Sequence, residues 1–423
     1  AHPAPVTVIS PSLRDKGFIT GDAQGNLFVH YSTSAQTLMK LTGNQQPIRT
    51  LTFSPKADGA VALTEQGELL TYTIRNPHPE ATLATLFNSV WYEGYERPEH
   101  VWQSSSGADD FEAKFGLVPL MFGTLKGTLY AMLVAVPLAL LGAIYTSMFM
   151  HPNLRAKVKP TIEIMAALPT VILGFLAGLW LAPMLERMFP AIIAMIVSVP
   201  VGVAVTATFW QYLPGRFIRR VRPGTETFVL IPVIIGIVWI CLGFNQQIES
   251  FVFGADYRAW FAAHWGLKYD QRNALVVGFA MGFAIVPIIF SISEEALSNV
   301  PRHLIAGSLA LGATRWQTLV KLVLISASPG IFSALMIGFG RAIGETMIVL
   351  MATGNTPIMD WSLFNGFRTL SANIAVEIPE APHGGTLYRI LFLAAVLLFA
   401  FTFLINTVAE VIRQRLRTKY SQY

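Results

Sequence analysis

Residues Gly338–Thr356 read GFGRAIGETMIVLMATGNT, an apolar stretch that carries two charges, Arg341 and Glu345. It belongs to a longer apolar run, Ser326–Thr353. A spacing of four places two helical side chains on one face. A charge at the centre of a membrane helix costs about 2.5–3.5 kcal/mol even on the lenient insertion scale. One reading is an ion pair that neutralises itself across one turn. The other is a polar site on a transport path, with Thr346 beside it. A guanidinium offers a fork to two oxyanion oxygens. A carboxylate beside it repels a bare anion but accepts a hydrogen bond from a protonated one.

The composition agrees with a membrane setting. Of 423 residues, 53% are hydrophobic and 13% charged, against about 25% charged in soluble domains. Seven apolar segments lie near Leu120–Phe149, Thr161–Pro183, Pro190–Trp210, Thr227–Phe244, Ala274–Ile292, Ser326–Thr353 and Leu387–Val411. Each holds about 18–20 residues or more, enough to cross the hydrocarbon as helix. Pro169 and Pro287 fall inside two of them, and neighbouring helices can absorb such breaks.

The cations between segments set the orientation. With the N-terminal part outside, the inside stretches hold Arg155, Lys157 and Lys159; Arg216, Arg219, Arg220 and Arg222; Arg302, Arg315 and Lys321; and Arg413, Arg415, Arg417 and Lys419. The outside loops hold only Arg187, Arg258, Lys268, Arg272 and Arg368. This is the positive-inside pattern. It also explains the net charge of +5 without a nucleic-acid face. The single cysteine, Cys241, excludes an intrachain disulfide and a zinc–cysteine cluster.

Residues 1–80 differ from the rest. GFITGDAQGNLFVHY (Gly17–Tyr31) aligns with GAVALTEQGELLTYT (Gly59–Thr73) at an offset of 42, and Ser-Pro precedes each copy. Each copy reads strand, glycine turn, strand, and the period suits propeller blades; a plain β-sandwich is the alternative. Two blades cannot close a ring, and the chain lacks an initial Met, so a longer native chain is expected. Residues 81–118 read as a connector. Its Trp91, Tyr92, Tyr95 and Trp102 suit either a membrane interface or ordinary packing. The aromatic loop Asn245–Asn273 suits an amphipathic segment along the outer interface. The outside loop Gly354–Thr386 suits a gate, a docking surface or plain loop packing.

The inside loop 293–325 reads SEEALSNVPRHLIAGSLALGATRWQTLVKLVLI. Two short helical stretches flank Gly312, and Leu309, Trp316, Leu319 and Val320 form an apolar stripe. Such an element has the size to dock in a groove of a cytosolic partner, with Ala306, Gly307, Ser308, Gly312, Arg315 and Trp316 as the coupling residues.

The loop resembles the EAA loop of bacterial ABC-importer permeases. Ala306-Gly307-Ser308, Gly312 and Leu322–Ile325 occupy the pattern, although Glu is replaced by Ala and the final Pro by Ile. The stretch Arg-Ala-Ile-Gly-Glu-Thr-Met from Arg341, with Gly354-Asn355 beyond it, is similar to phosphate-importer permeases of the PstC type. FGLVPLMFGTLKGTL (Phe115–Leu129) and IVPIIFSISEEALSNVPRHL resemble the same family. The resemblance covers residues 115–183 and 274–411, not the β part or 184–273. It implies an all-α type I permease fold, which with the apolar segments and cation pattern gives about seven transmembrane helices over 119–411, a cytoplasmic tail at 412–423 and a β-repeat domain on the periplasmic side. It implies uptake of inorganic phosphate by alternating access, in a bacterial inner membrane. Its partners would be a second permease subunit, a cytosolic ATPase dimer, a periplasmic phosphate-binding protein and the lipid bilayer.

No GxxxxGK[ST] motif is present, so ATP and Mg²⁺ are expected on the partner ATPase, with no cofactor in this chain. No HExxH or nucleophile elbow marks an enzyme, and the histidines are scattered, so no metal site is expected. An ion-coupled anion transporter and a membrane sensor with a β receptor domain are the alternatives. Internal inverted repeats would favour the first.

Overall fold

The computed structural model describes residues 2–107, 111–212, 227–254 and 256–420. It divides into two compact units. One is Ala1–Met121 with Ile378–Ala394, the other Phe122–Glu377 with Ala395–Tyr423.

The first unit holds two antiparallel meanders. Strands β1 (Val6–Pro11), β2 (Gly17–Asp22), β3 (Leu27–Tyr31) and β4 (Gln36–Leu41) make one sheet, and β5 (Ile48–Phe53), β6 (Gly59–Thr64) and β7 (Leu69–Thr73) the next. β1 and β5 also start 42 residues apart, so the repeat is longer than the aligned copies. Alternating apolar residues of both sheets, among them Ile19, Leu27, Val29, Ile48, Leu51 and Ala62, share one core. The Thr7 hydroxyl donates to the Ile48 carbonyl (2.8 Å) and ties the sheets together.

The stretch after β7 is packed. Helix α1 (Leu83–Phe87) and the short pair β8 (Trp102–Gln103) and β9 (Lys114–Phe115) follow. Tyr92 and Trp102 are buried, so packing is their role; Trp91 remains exposed. Glu112 accepts hydrogen bonds from the Tyr31 and Thr33 hydroxyls and pins the stretch to β3. Burial holds its carboxyl above the usual carboxylate range.

The second unit is helical. Among the described residues five helical runs are long and apolar enough to cross a membrane: Val118–Phe149, Thr170–Trp210, Ala274–Ser298, Arg315–Gly344 and Thr386–Arg415. A bent pair, Leu230–Gly243 with Asn245–Trp265, is either a broken sixth span or a re-entrant loop. Seven segments were expected, and two differences explain the change. The first concerns Thr161–Pro183, which is not one segment. Helix α3 (Pro152–Met165) ends before Pro169, and α4 (Thr170–Leu176) begins after it. A proline disfavours helical backbone in the residue before it. Second, the expected break at Glu186–Arg187 is bridged. Met188 N donates to Met184 O and Ile192 N to Met188 O, both at 3.0 Å, so α5 (Ala182–Arg187) and α6 (Phe189–Tyr212) join one helical run. The basic loop with Arg216, Arg219, Arg220 and Arg222 lies outside the described residues.

Helix α7 (Thr227–Gly243) packs along α6. In the loop that follows, where an interfacial segment is expected, stand α8 (Asn245–Phe253) and α9 (Tyr257–Trp265). Tyr257, Phe261 and Tyr269 are buried against Phe189 and Phe364, with ring centroids 5.0–5.7 Å from Phe189. Edge and stacked ring contacts hold these aromatics inward, while Trp265 stays exposed.

The unit's core forms where α10 (Ala274–Ser298) packs along α13 (Leu324–Gly344) and beside α2 (Val118–Ile144). Small residues Ala131, Ala135, Ala139 and Ala143 are fully buried on α2. They recur at the four-residue spacing of one helix face. The opposite face leaves Leu133, Leu138 and Leu141 exposed, as a lipid-facing stripe requires.

Candidate functional site

Arg341 stands in the last turn of α13, where the negative end of the helix dipole favours a cation. Its side chain is exposed, and among the described residues it has no hydrogen-bond or ion-pair partner. The expected pairing with Glu345 does not form. α13 ends at Gly344, and Glu345 takes extended backbone (φ −65°, ψ 126°), which removes the shared helix face. Its Oε1 turns forward and accepts from Met347 N (3.1 Å) and Ile348 N (3.3 Å), the first amides of the short helix α14 (Met347–Ala352). Glu345 Oε2 accepts no hydrogen bond among the described residues. The Thr346 hydroxyl donates to the Gly344 carbonyl (3.1 Å) across the same break. The span is therefore a broken helix with a free guanidinium on one side of the gap and a half-free carboxylate in it.

A third element closes the gap. The Ser371 hydroxyl, at the start of α15 (Leu370–Glu377), donates to the Glu345 carbonyl (2.9 Å). α15 lies in the loop Gly354–Thr386 and is largely buried, so this part of the loop packs inside the helical unit. Arg368 and Glu377 form an ion pair (2.7 Å) with side chains only 15% and 7% exposed. Sequence reading missed this pair, because nine residues separate its members and no regular element was visible between them.

At the other end of the unit sits the helix-turn-helix. α11 (Arg302–Ala310) leads into Gly312 at φ +85°, a conformation that strains any residue with a Cβ. The next helix, α12 (Arg315–Thr318), starts with a capping box, Thr314 with Gln317. Ala306, Gly307, Gly312, Arg315 and Trp316 are exposed, and Ser308 Oγ lies 2.9 Å from Thr318 Oγ1, bracing the two helices. The apolar stripe differs from expectation. Leu319, at the start of the π-helical turn Leu319–Val323, is fully buried. Leu309, Leu311, Trp316 and Val320 are the exposed apolar residues.

Two of the loop's neighbours carry a buried charge cluster that sequence reading did not assemble. Glu294 on α10 has a fully buried side chain and meets both Arg155 and Lys159 of α3, Lys159 at 3.1 Å. Ser298 Oγ donates to the same carboxylate (3.0 Å).

Broken apolar crossings above an exposed helix-turn-helix define a multi-pass membrane permease. The chain belongs to the family of binding-protein-dependent transport system inner membrane components, whose family model matches residues 135–418. It is thus a permease component of an ABC importer, a membrane part and not itself an enzyme. It is similar to the "Probable ABC transporter permease protein YqgH" of Bacillus subtilis, 27% identical over 297 residues, 70% of this chain and 71% of that one. It is similar also to the phosphate transport system permease protein PstC of Mycobacterium leprae, 29% identical over 235 residues, 52% of this chain and 71% of that one. A solved inward-facing MetNI methionine ABC transporter covers 71% of this chain and 94% of its own, at 16% identity and a TM-score of 0.38.

Proposed function

We propose that this chain carries inorganic phosphate inward as one of two permease subunits, driven by cytosolic ATPases and fed by a periplasmic binding protein. The observation that carries the reading is Arg341, an exposed guanidinium in a candidate membrane span with no hydrogen-bond or ion-pair partner among the described residues. Facing lipid, such a charge is costly; facing a second permease subunit across a pore, it becomes an anion site. The proteins named PstC among its relatives support phosphate as the anion.

The site's chemistry favours a protonated oxyanion. Arg341 binds two oxygens with its fork. The first amides of α14 are already occupied by Glu345 Oε1, so the positive charge comes from Arg341. Glu345 Oε2 accepts a hydrogen bond from the protonated oxygen of hydrogen phosphate. Sulfate has no such proton at neutral pH and meets repulsion instead. Ala306–Trp316 docks the ATPase through Leu309, Leu311 and Trp316. With the five single runs as the crossings and the bent pair returning to the side it leaves, the β meanders lie on the periplasmic side and the C-terminus in the cytoplasm, following the cation distribution.

Labelled phosphate and sulfate uptake, with the partner subunits present, tests the site. Arg341→Ala abolishes phosphate uptake. Glu345→Gln slows it and admits more sulfate relative to phosphate. Wild-type uptake by Arg341→Ala would sink the proposal.

A further inference from the structure

Lys126 lies in the first third of α2, inside the candidate span Val118–Phe149. Its side chain is fully buried, and its ammonium donates no hydrogen bond among the described residues. The Phe367 ring covers it, 5.7 Å from Nζ to the ring centroid. Asp360 acts on it electrostatically from beyond ion-pair reach, and its oxygens already accept from Ser362 N (3.0 Å) and Asn365 Nδ2 (2.6 Å). A buried cation without a bonded counter-charge is costly. Within membrane spans such groups mark ion paths by default.

The covering segment links Lys126 to the broken helix. Phe367 lies over Lys126, Leu370 N donates to Thr124 Oγ1 (3.0 Å), and Ser371 donates to the Glu345 carbonyl (2.9 Å). From 367 to 371 the chain spans at most about 14 Å. Gly123 and Gly127 permit this close seat. A Cβ on Gly123 would meet the Arg368 carbonyl, and one on Gly127 the Phe367 ring at 2.6 Å. The same segment carries more buried polar atoms without partners among the described residues: Arg368 Nε, Asn365 Oδ1, and both Nδ2 and Oδ1 of the fully buried Asn373. Buried polar groups are rarely left unpaired in folded proteins. A carboxamide that both donates and accepts suits a partly protonated oxyanion.

We infer that Lys126 is a second station for the transported oxyanion, reached before the Arg341–Glu345 gap and roofed by residues 367–371. The inference rests on the proposed phosphate function and adds a residue to its path. Lys126→Met keeps the length of the side chain and removes the charge; Lys126→Arg keeps the charge. Both are assayed in proteoliposomes with all partner subunits, at saturating labelled phosphate, with ATP hydrolysis measured in parallel. Lys126→Met cuts uptake about tenfold or more while ATP hydrolysis stays within about twofold, and Lys126→Arg keeps uptake within about threefold. Lys126→Met at the wild-type rate overturns the station and leaves the proposed function standing. So does a parallel loss of uptake and ATP hydrolysis, which marks a packing role. If Lys126→Met does not accumulate, Lys126→Gln is judged by the same criteria. A wild-type importer that takes up no phosphate overturns the proposed function, and the station with it.

Discussion

Glu294 shows how much one buried carboxylate organises. Arg155 and Lys159 lie four apart on α3 and reach it together. Removing one member of a buried ion group leaves the others uncompensated, at a cost of several kcal/mol. Arg155 and Lys159 retain 33% and 37% side-chain exposure, so the low end of that range, about 3 kcal/mol, applies to Glu294→Ala. The expected result is a lower unfolding temperature in detergent, with Glu294→Gln intermediate because it can still accept from Ser298. An unchanged melting point would mean that the cluster does not hold α3 to α10. Arg341 and Glu345 were legible as charges out of place in an apolar run. Their geometry was not: spacing of four implies a pair only if the helix continues, and it stops at Gly344.

Among the elements, the helix-turn-helix was the more readable. Its two short helices, the glycine turn and the capping box follow from local rules that act within four residues. Leu319 escaped those rules, because its burial depends on which distant side chains pack over it. Gly312 provides the sharpest test. Nothing lies within 4 Å of a Cβ placed there, so backbone strain at φ +85° and not a clash decides the outcome. Gly312→Val costs about 1–2 kcal/mol locally. The expected variant inserts and assembles but moves less phosphate per ATP hydrolysed. Gly312→Asn, which tolerates this conformation better, behaves close to wild type. Normal uptake with normal assembly in Gly312→Val would count heavily against the docking role. The run Thr170–Trp210 shows the reverse case. Glu186 and Arg187 looked like a loop, yet helical hydrogen bonds pass straight through them.

For the molecule as a whole, the β meanders form their own core apart from the apolar crossings. Among the described residues, the hydrogen bonds of the Glu345 carboxylate and carbonyl stay within the helical unit. Replacing residues 6–73 by a flexible linker, with any preceding segment kept, is therefore expected to leave phosphate uptake within about threefold while altering regulation or docking. Transport assays on the correctly inserted variant decide this, and complete loss of uptake would place the meanders in the transport machinery. Composition and apolar run length by themselves determined that this is a helical membrane protein with an N-terminal β part. The 42-residue repeat, the cation asymmetry and the motif at Arg341 were equally plain, because hydropathy, turn chemistry and charge are local properties of the chain. Tertiary structure decided the joining of two apolar segments into the run Thr170–Trp210, the burial of Lys126 under Phe367, the Glu294 cluster and the seat of Ser371 on Glu345. Each of these depends on which distant segments pack together, and the free energy of that packing is shared among residues that no short window of sequence contains.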